Sequence, residues 1–145
     1  MARSVRDTMT ASPRSVGTEA TAVDAARLMR DDDIGSLPIV EKGRLVGMLT
    51  DRDIAIRVVA EGIDPGSVSV AEIASSDAVS VSPDQELEEA LRLMAHHQVR
   101  RLPVVEDDQL VGMLAQADVA HEEDREKVGE TVEAISDPSE AERRV

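Results

Sequence analysis

The sequence has 145 residues, with 30 acidic against 16 basic side chains and a formal net charge of −14. That balance disfavours general binding to phosphate backbones or anionic membranes, and the absence of Phe, Trp and Tyr removes the stacking platforms that single-stranded nucleic acid binders use. There is no cysteine for disulfide or thiolate chemistry, no apolar run approaches the ~18 residues of a membrane span, and the opening MARSVRDTMT lacks the apolar core of a signal peptide; a cytoplasmic protein is expected.

Val5 and Met9 share one face of a helical turn near the start. Ser12-Pro13 interrupts it, and Arg14-Ser15-Val16 reads as a short extended piece. Thr18 is the expected N-cap of a helix running to about Asp33, with Ala22, Ala25, Ala26 and Met29 facing inward and Gly35 as its C-terminal cap. Leu37-Pro38-Ile39-Val40 and Leu45–Leu49 are expected strands joined by a turn over Glu41–Arg44, where Gly43 can take a positive φ. A helix follows from Thr50 or Asp51 to about Glu61, capped by the Thr50 hydroxyl. Ile54, Ile56, Val58 and Val59 make it apolar on more than one side, a hint of self-association.

Gly62–Val68 is a linker, and the plan then repeats. Shifting the chain by 65 lays Val5–Ala55 on Val70–Ala120 without a gap. Leu37-Pro38-Ile39-Val40-Glu41 falls on Leu102-Pro103-Val104-Val105-Glu106, and Leu45-Val46-Gly47-Met48-Leu49 falls on Leu110-Val111-Gly112-Met113-Leu114. Two copies of one unit are present, and a pseudo-two-fold arrangement is expected. Each copy alone is marginal in size, so the copies should share a core. In the second copy, Ser82 and Pro83 are expected to open a helix whose apolar face is Leu87, Ala90, Leu91 and Met94. Its last helix, from about Gln116, is strongly charged, and Val128, Val132 and Ile135 offer a short docking stretch before an acidic tail over 131–145. The expected units span 8–64 and 73–130.

Catalysis has little to rest on. No nucleophile elbow, phosphate-cradling Gly-rich loop or dinucleotide fingerprint is present, so the chain is not read as an enzyme. His96 and His97 are adjacent and do not share a helix face, which suits a metal poorly; Asp31-Asp32-Asp33 reads as a solvated helix end. Binding has more support. Asp53 and its repeat mate Asp118 stand where a strand gives way to a helix, and a carboxylate there can accept both hydroxyls of a ribose diol. The bland alternative is that they cap and balance a helix N-terminus. Arg100 and Arg101 directly precede a strand in a chain short of basic residues; they suit phosphate, or else pair with surface carboxylates.

The runs SLPIVEKGRLVGMLTDRD and RLPVVEDDQLVGMLAQAD resemble a CBS domain pair, also called a Bateman module, over about residues 5 to 125. Small stand-alone pairs of this kind are similar to the hypoxic-response CBS proteins. The resemblance implies an α/β (α+β) fold of two β-α-β-β-α units, their sheets packed face to face around pseudo-two-fold clefts. It implies no required cofactor, but an adenosine-containing ligand such as AMP, ADP or ATP. It also implies a homodimer built through the helices that follow the last strand of each repeat, signalling to a separate effector protein. By position, Asp53 would hold ribose and Thr50 would contact phosphate. Asp118 matches in the second copy, where Ala115 replaces the Thr. Arg100 and Arg101 would reach phosphates, while Gly35-Ser36 stand in their place in the first copy. Adenine would lie near Val16 and Ile34, or Val81 and Val99. One better site is therefore expected, using Thr50, Asp53 and an arginine from across the cleft. The alternative reading is a ligand-independent homodimeric scaffold.

Overall fold

A computed structural model describes residues 3–76 and 78–121. The chain runs α1 (Val5–Thr8), β1 (Thr10–Ala11), β2 (Val16–Gly17), α2 (Ala22–Asp32), β3 (Ser36–Glu41), β4 (Arg44–Thr50) and α3 (Asp51–Ile54), which passes into a π-helical turn over Ala55–Val59. The second copy supplies α4 (Val70–Ile73), α5 (Leu87–His97), β5 (Arg101–Glu106) and β6 (Gln109–Ala115). Residues 116–121 are helical. The apolar positions Val128, Val132 and Ile135, the acidic tail and the end of the second expected unit lie outside the described residues.

The paired hairpins appear where the repeat places them. β3 and β4 pair antiparallel from Ser36↔Thr50 to Glu41↔Arg44, and β5 and β6 repeat the register from Arg101↔Ala115 to Glu106↔Gln109. Each turn uses two residues of positive φ, Lys42 and Gly43 at 52° and 81°, then Asp107 and Asp108 at 53° and 65°. That handedness matches the twist of the flanking strands. The two expected sheets are continuous: Arg44 pairs with Gln109, so the hairpin ends meet and a single six-stranded sheet curls through both copies.

Helix boundaries differ from the sequence expectation in three places. Thr21, not Thr18, caps α2: its hydroxyl accepts from the Asp24 amide at 3.2 Å, while the Asp24 carboxylate accepts from the Thr21 amide at 3.0 Å. These bonds, the backbone one foremost, hold the Asp24 carboxyl below its usual range. At the other end, Asp33 rather than Gly35 takes the left-handed cap conformation. Gly35 is needed instead for space, since a Cβ there would sit 3.1 Å from the Asp51 carboxylate. In the second copy, Ser82 does not cap a helix. Its amide donates to Gln85 Oε1 at 2.7 Å in a turn, and α5 begins only at Leu87. Ala26, expected inside, is exposed, while Ala22, Ala25 and Met29 are buried.

The core has two centres, and the copies exchange their opening helices between them. One centre gathers Ala25, Leu37 and Leu49 with Val70 and Ile73 of α4, which belongs to the second copy. The other gathers Leu102, Leu114 and Val119 with Val5 of α1, from the first. β1 likewise pairs with β6 across the copies, and Ser75 bridges to Met48. Glycine makes these crossings possible: a Cβ on Gly47 would lie 2.9 Å from the Ser75 carbonyl oxygen, and one on Gly112 would lie 3.0 Å from that of Thr10. Neither copy can complete its core without the other, as the small size of each requires.

Candidate functional site

Among the described residues, two of the clefts between the copies have walls related by the 65-residue shift. The larger holds about 770 Å³, within the ~300–1,000 Å³ range of small-molecule sites. One wall is the end of β4 and the start of α3, bringing Thr50, Asp51, Arg52 and Asp53; the other is the segment from His97 to Arg101. Thr50 and Asp53 form a reciprocal capping box. The Thr50 hydroxyl accepts from the Asp53 amide at 3.1 Å, and Asp53 Oδ2 accepts from the Thr50 amide at 2.9 Å. This leaves Asp53 Oδ1 uncommitted among the described residues, on a side chain that is only half-buried. The bonds also fix the carboxylate at the mouth of a strand-to-helix turn.

Opposite stand Arg100 and Arg101, and neither makes an ion pair among the described residues. In a chain this acidic, two guanidiniums without carboxylate partners leave a local excess of positive charge over one wall. The backbone beneath them is anchored by the Gln116 amide, which donates to the Arg100 carbonyl at 2.7 Å. Apolar contact is supplied by Val79 and Val99, the latter 38% exposed.

The smaller cleft, about 310 Å³, is the repeat mate of the first. Ala115, Ala117 and Asp118 occupy the places of Thr50, Arg52 and Asp53, and Ile34 that of Val99. Ala115 has no hydroxyl to form the capping box, and Asp118 is exposed. Ser36 and Arg101, themselves repeat mates, line both clefts.

The structure therefore brings Thr50, Asp53, Val99, Arg100 and Arg101 into one cleft, and Ile34 and Asp118 into its mate, with Arg101 common to both. Val16 and Val81 line neither. Val16 pairs in parallel with Ile39 and Val81 with Val104, and their side chains, 6% and 2% exposed, pack inside the two cores. Sequence reasoning missed Asp51 and Arg52 beside the capping box, His97 on the facing wall, and Arg14 in the smaller cleft. Of these, His97 carried a signal, because the repeat lays it on Asp32 at the same helix end. Among the described residues no three His, Cys, Asp or Glu side chains are grouped as a metal would need, and no helix is long and apolar enough to cross a membrane.

Comparison with known proteins places this geometry in context. The family description "CBS domain" matches residues 5–60 and again 70–124. The CBS domain-containing protein YhcV of Bacillus subtilis is 46% identical over 134 residues, covering 92% of this chain and 95% of its own. Hypoxic response protein 1 of Mycobacterium tuberculosis is 41% identical over 134 residues, covering 92% and 94%. A crystal structure of Hypoxic Response Protein I with two coordinated zinc ions superposes with a TM-score of 0.77 at 42% identity, covering 82% of this chain and 98% of that one.

Proposed function

The chain belongs to the CBS domain family, and from that premise we propose that it is a non-catalytic sensor module binding an adenosine-containing nucleotide of the AMP, ADP or ATP class. Paired CBS domains are generally regulatory and often bind nucleotides. The observation that carries the proposal is the larger cleft, where Thr50 and Asp53 of one copy face Arg100 and Arg101 of the other, which make no ion pair among the described residues. Asp53 Oδ1 accepts from the ribose hydroxyls, and the Thr50 hydroxyl and the guanidiniums receive phosphate. Val79 and Val99 bracket the base, Val79 taking the part expected of Val81 beside Val99. Asp118 serves the mate cleft in the same way. The bound state acts on a separate partner protein. A cysteine-free composition fits a cytoplasmic setting.

Thermal unfolding followed by circular dichroism tests this against a ligand-independent scaffold. A ligand that binds only the folded state at a hundred times its Kd adds about 2.7 kcal/mol, so one or more of AMP, ADP and ATP should raise the melting temperature. A scaffold predicts no shift with any of them.

We further propose a homodimer through the helical segment after β4. Ile56 and Val59 are 45% and 69% exposed, and Ile63 just beyond is 41% exposed. Three large apolar side chains left in water within eight residues mark a surface that a second copy would cover. Val58, by contrast, is wholly buried. Val59→Glu is expected to halve the mass seen by sedimentation while leaving the far-ultraviolet spectrum intact. A dimer that persists in the variant would place the interface elsewhere.

A further inference from the structure

The two clefts are built alike but charged differently: the smaller lacks two of the larger cleft's arginines and gains Asp32. The larger cleft sets two carboxylates, Asp51 and Asp53, against three guanidiniums, Arg52, Arg100 and Arg101. In the smaller cleft the 65-residue shift replaces Arg100 by Gly35 and Arg52 by Ala117, and puts Asp32 in the place of His97. It also puts Arg14 in the place of Val79. The cation gained is already engaged: Arg14 Nε lies 2.9 Å from Asp32 Oδ2. That oxygen is sealed from solvent and accepts no well-aligned hydrogen bond, so Arg14 is its only charged partner among the described residues. The side chain as a whole keeps 26% of its surface exposed, and Asp32 contributes to the cleft wall. The remaining cation, Arg101, is shared with the larger cleft.

We infer that the smaller cleft rejects phosphate and takes an uncharged adenosine-type nucleoside, so that one chain reads two chemically distinct ligands. The inference rests on the proposal that Asp53 and Asp118 hold ribose. A phosphate entering the smaller cleft meets Asp118 and an Arg14 already held by Asp32, and the one guanidinium there without an ion pair among the described residues, Arg101, is shared with the larger cleft. Like charges brought together in a partly desolvated cleft disfavour binding, and discrimination of this kind works by repulsion rather than by added contacts. A nucleoside offers the same ribose diol to Asp118 and the same base to the apolar wall near Ile34, without the penalty. The volume of about 310 Å³ agrees, standing at the low end for a small-molecule site. When a nucleotide in the larger cleft draws Arg101 toward its phosphate, the smaller cleft keeps only Arg14, already engaged by Asp32, and the bias against a second phosphate grows.

Isothermal titration of the full chain with AMP and with adenosine tests this. AMP should saturate at one per chain, with binding lost in Asp53→Ala and kept in Asp118→Ala. Adenosine should reach two per chain, the second lost in Asp118→Ala. Asp32→Asn keeps the side-chain size and removes the charge. It should strengthen AMP binding at the Asp118 site at least ~tenfold and bring AMP to two per chain. Adenosine binding at that site in Asp32→Asn confirms that the cleft is still formed. Wild-type protein that binds AMP at the Asp118 site as tightly as adenosine overturns the inference. So does an Asp32→Asn variant that binds adenosine there but shows no gain for AMP. Adenosine that binds only through Asp53 overturns this inference alone, whereas a chain that binds neither probe overturns the nucleotide proposal and this inference with it.

Discussion

Asp53→Ala is expected to weaken AMP binding at least ~tenfold, or ~1.4 kcal/mol, and to lower stability by about 1 kcal/mol as a capping interaction is lost. Both effects arise from one side chain doing two things. Oδ2 accepts from the Thr50 amide at 2.9 Å and closes the capping box, while Oδ1 has no partner among the described residues at the cleft wall. Asp53→Asn separates them. An amide oxygen can still accept from the Thr50 amide, so the melting temperature should stay near that of the unaltered chain. It offers one acceptor and no charge to a ribose diol, so AMP binding should still fall. Calorimetric titration and thermal melting of both variants give the two readouts. If AMP binds Asp53→Ala as tightly as the parent chain, Asp53 is only a helix cap and the site assignment fails.

Leu49→Ala should cost about 2–5 kcal/mol, the range for truncating a buried leucine. Leu49 is fully buried and its strand, β4, ends at Thr50, so the strand both fills the first core and aims the site. Its repeat mate Leu114 is equally buried in the second core. Because α1 and α4 are exchanged between the cores, the two halves should unfold together. Leu49→Ala and Leu114→Ala should each shift one common transition to lower urea, rather than split it. Circular dichroism suits the measurement, since the chain has no aromatic residue for fluorescence. A biphasic curve in either variant would show that the copies unfold independently. A loss of this size is a large share of the ~5–15 kcal/mol that holds a typical domain folded.

How far the sequence reaches can be judged residue by residue. The hairpins were legible because two signals agreed: a gapless repeat and short apolar runs bounded by turn residues. The register of Leu37 to Glu41 against Arg44 to Leu49 recurs in the second copy, where Asp107 and Asp108 do without glycine. The cap at Thr50 was legible because Asp53 stands three residues on. The same rule favours Thr21 over Thr18, since Asp24 completes its box. A capping threonine read without its N3 partner therefore put the helix start one turn early. Ser82-Pro83 misled for a related reason: the Gln85 side chain folds back onto the Ser82 amide and holds a turn. The exchange of α1 and α4 was illegible, because a repeat says which segments are alike and not which copy each packs against. Arg14 and Asp32, 18 residues apart, likewise met only in the fold. Their pairing adds to the inequality that the loss of Arg52, Arg100 and the Thr50 hydroxyl already sets between the two clefts.

Equilibrium dialysis of AMP, ADP and ATP against the purified chain tests the central claim most directly. The ligand is read by its ultraviolet absorbance, to which a protein without Phe, Trp or Tyr adds almost nothing. The account predicts that at least one of the three accumulates saturably on the protein side, approaches one per chain, and is lost in Asp53→Ala. No excess of any of them at concentrations up to about 1 mM, a binding free energy of about −4.1 kcal/mol, would contradict it.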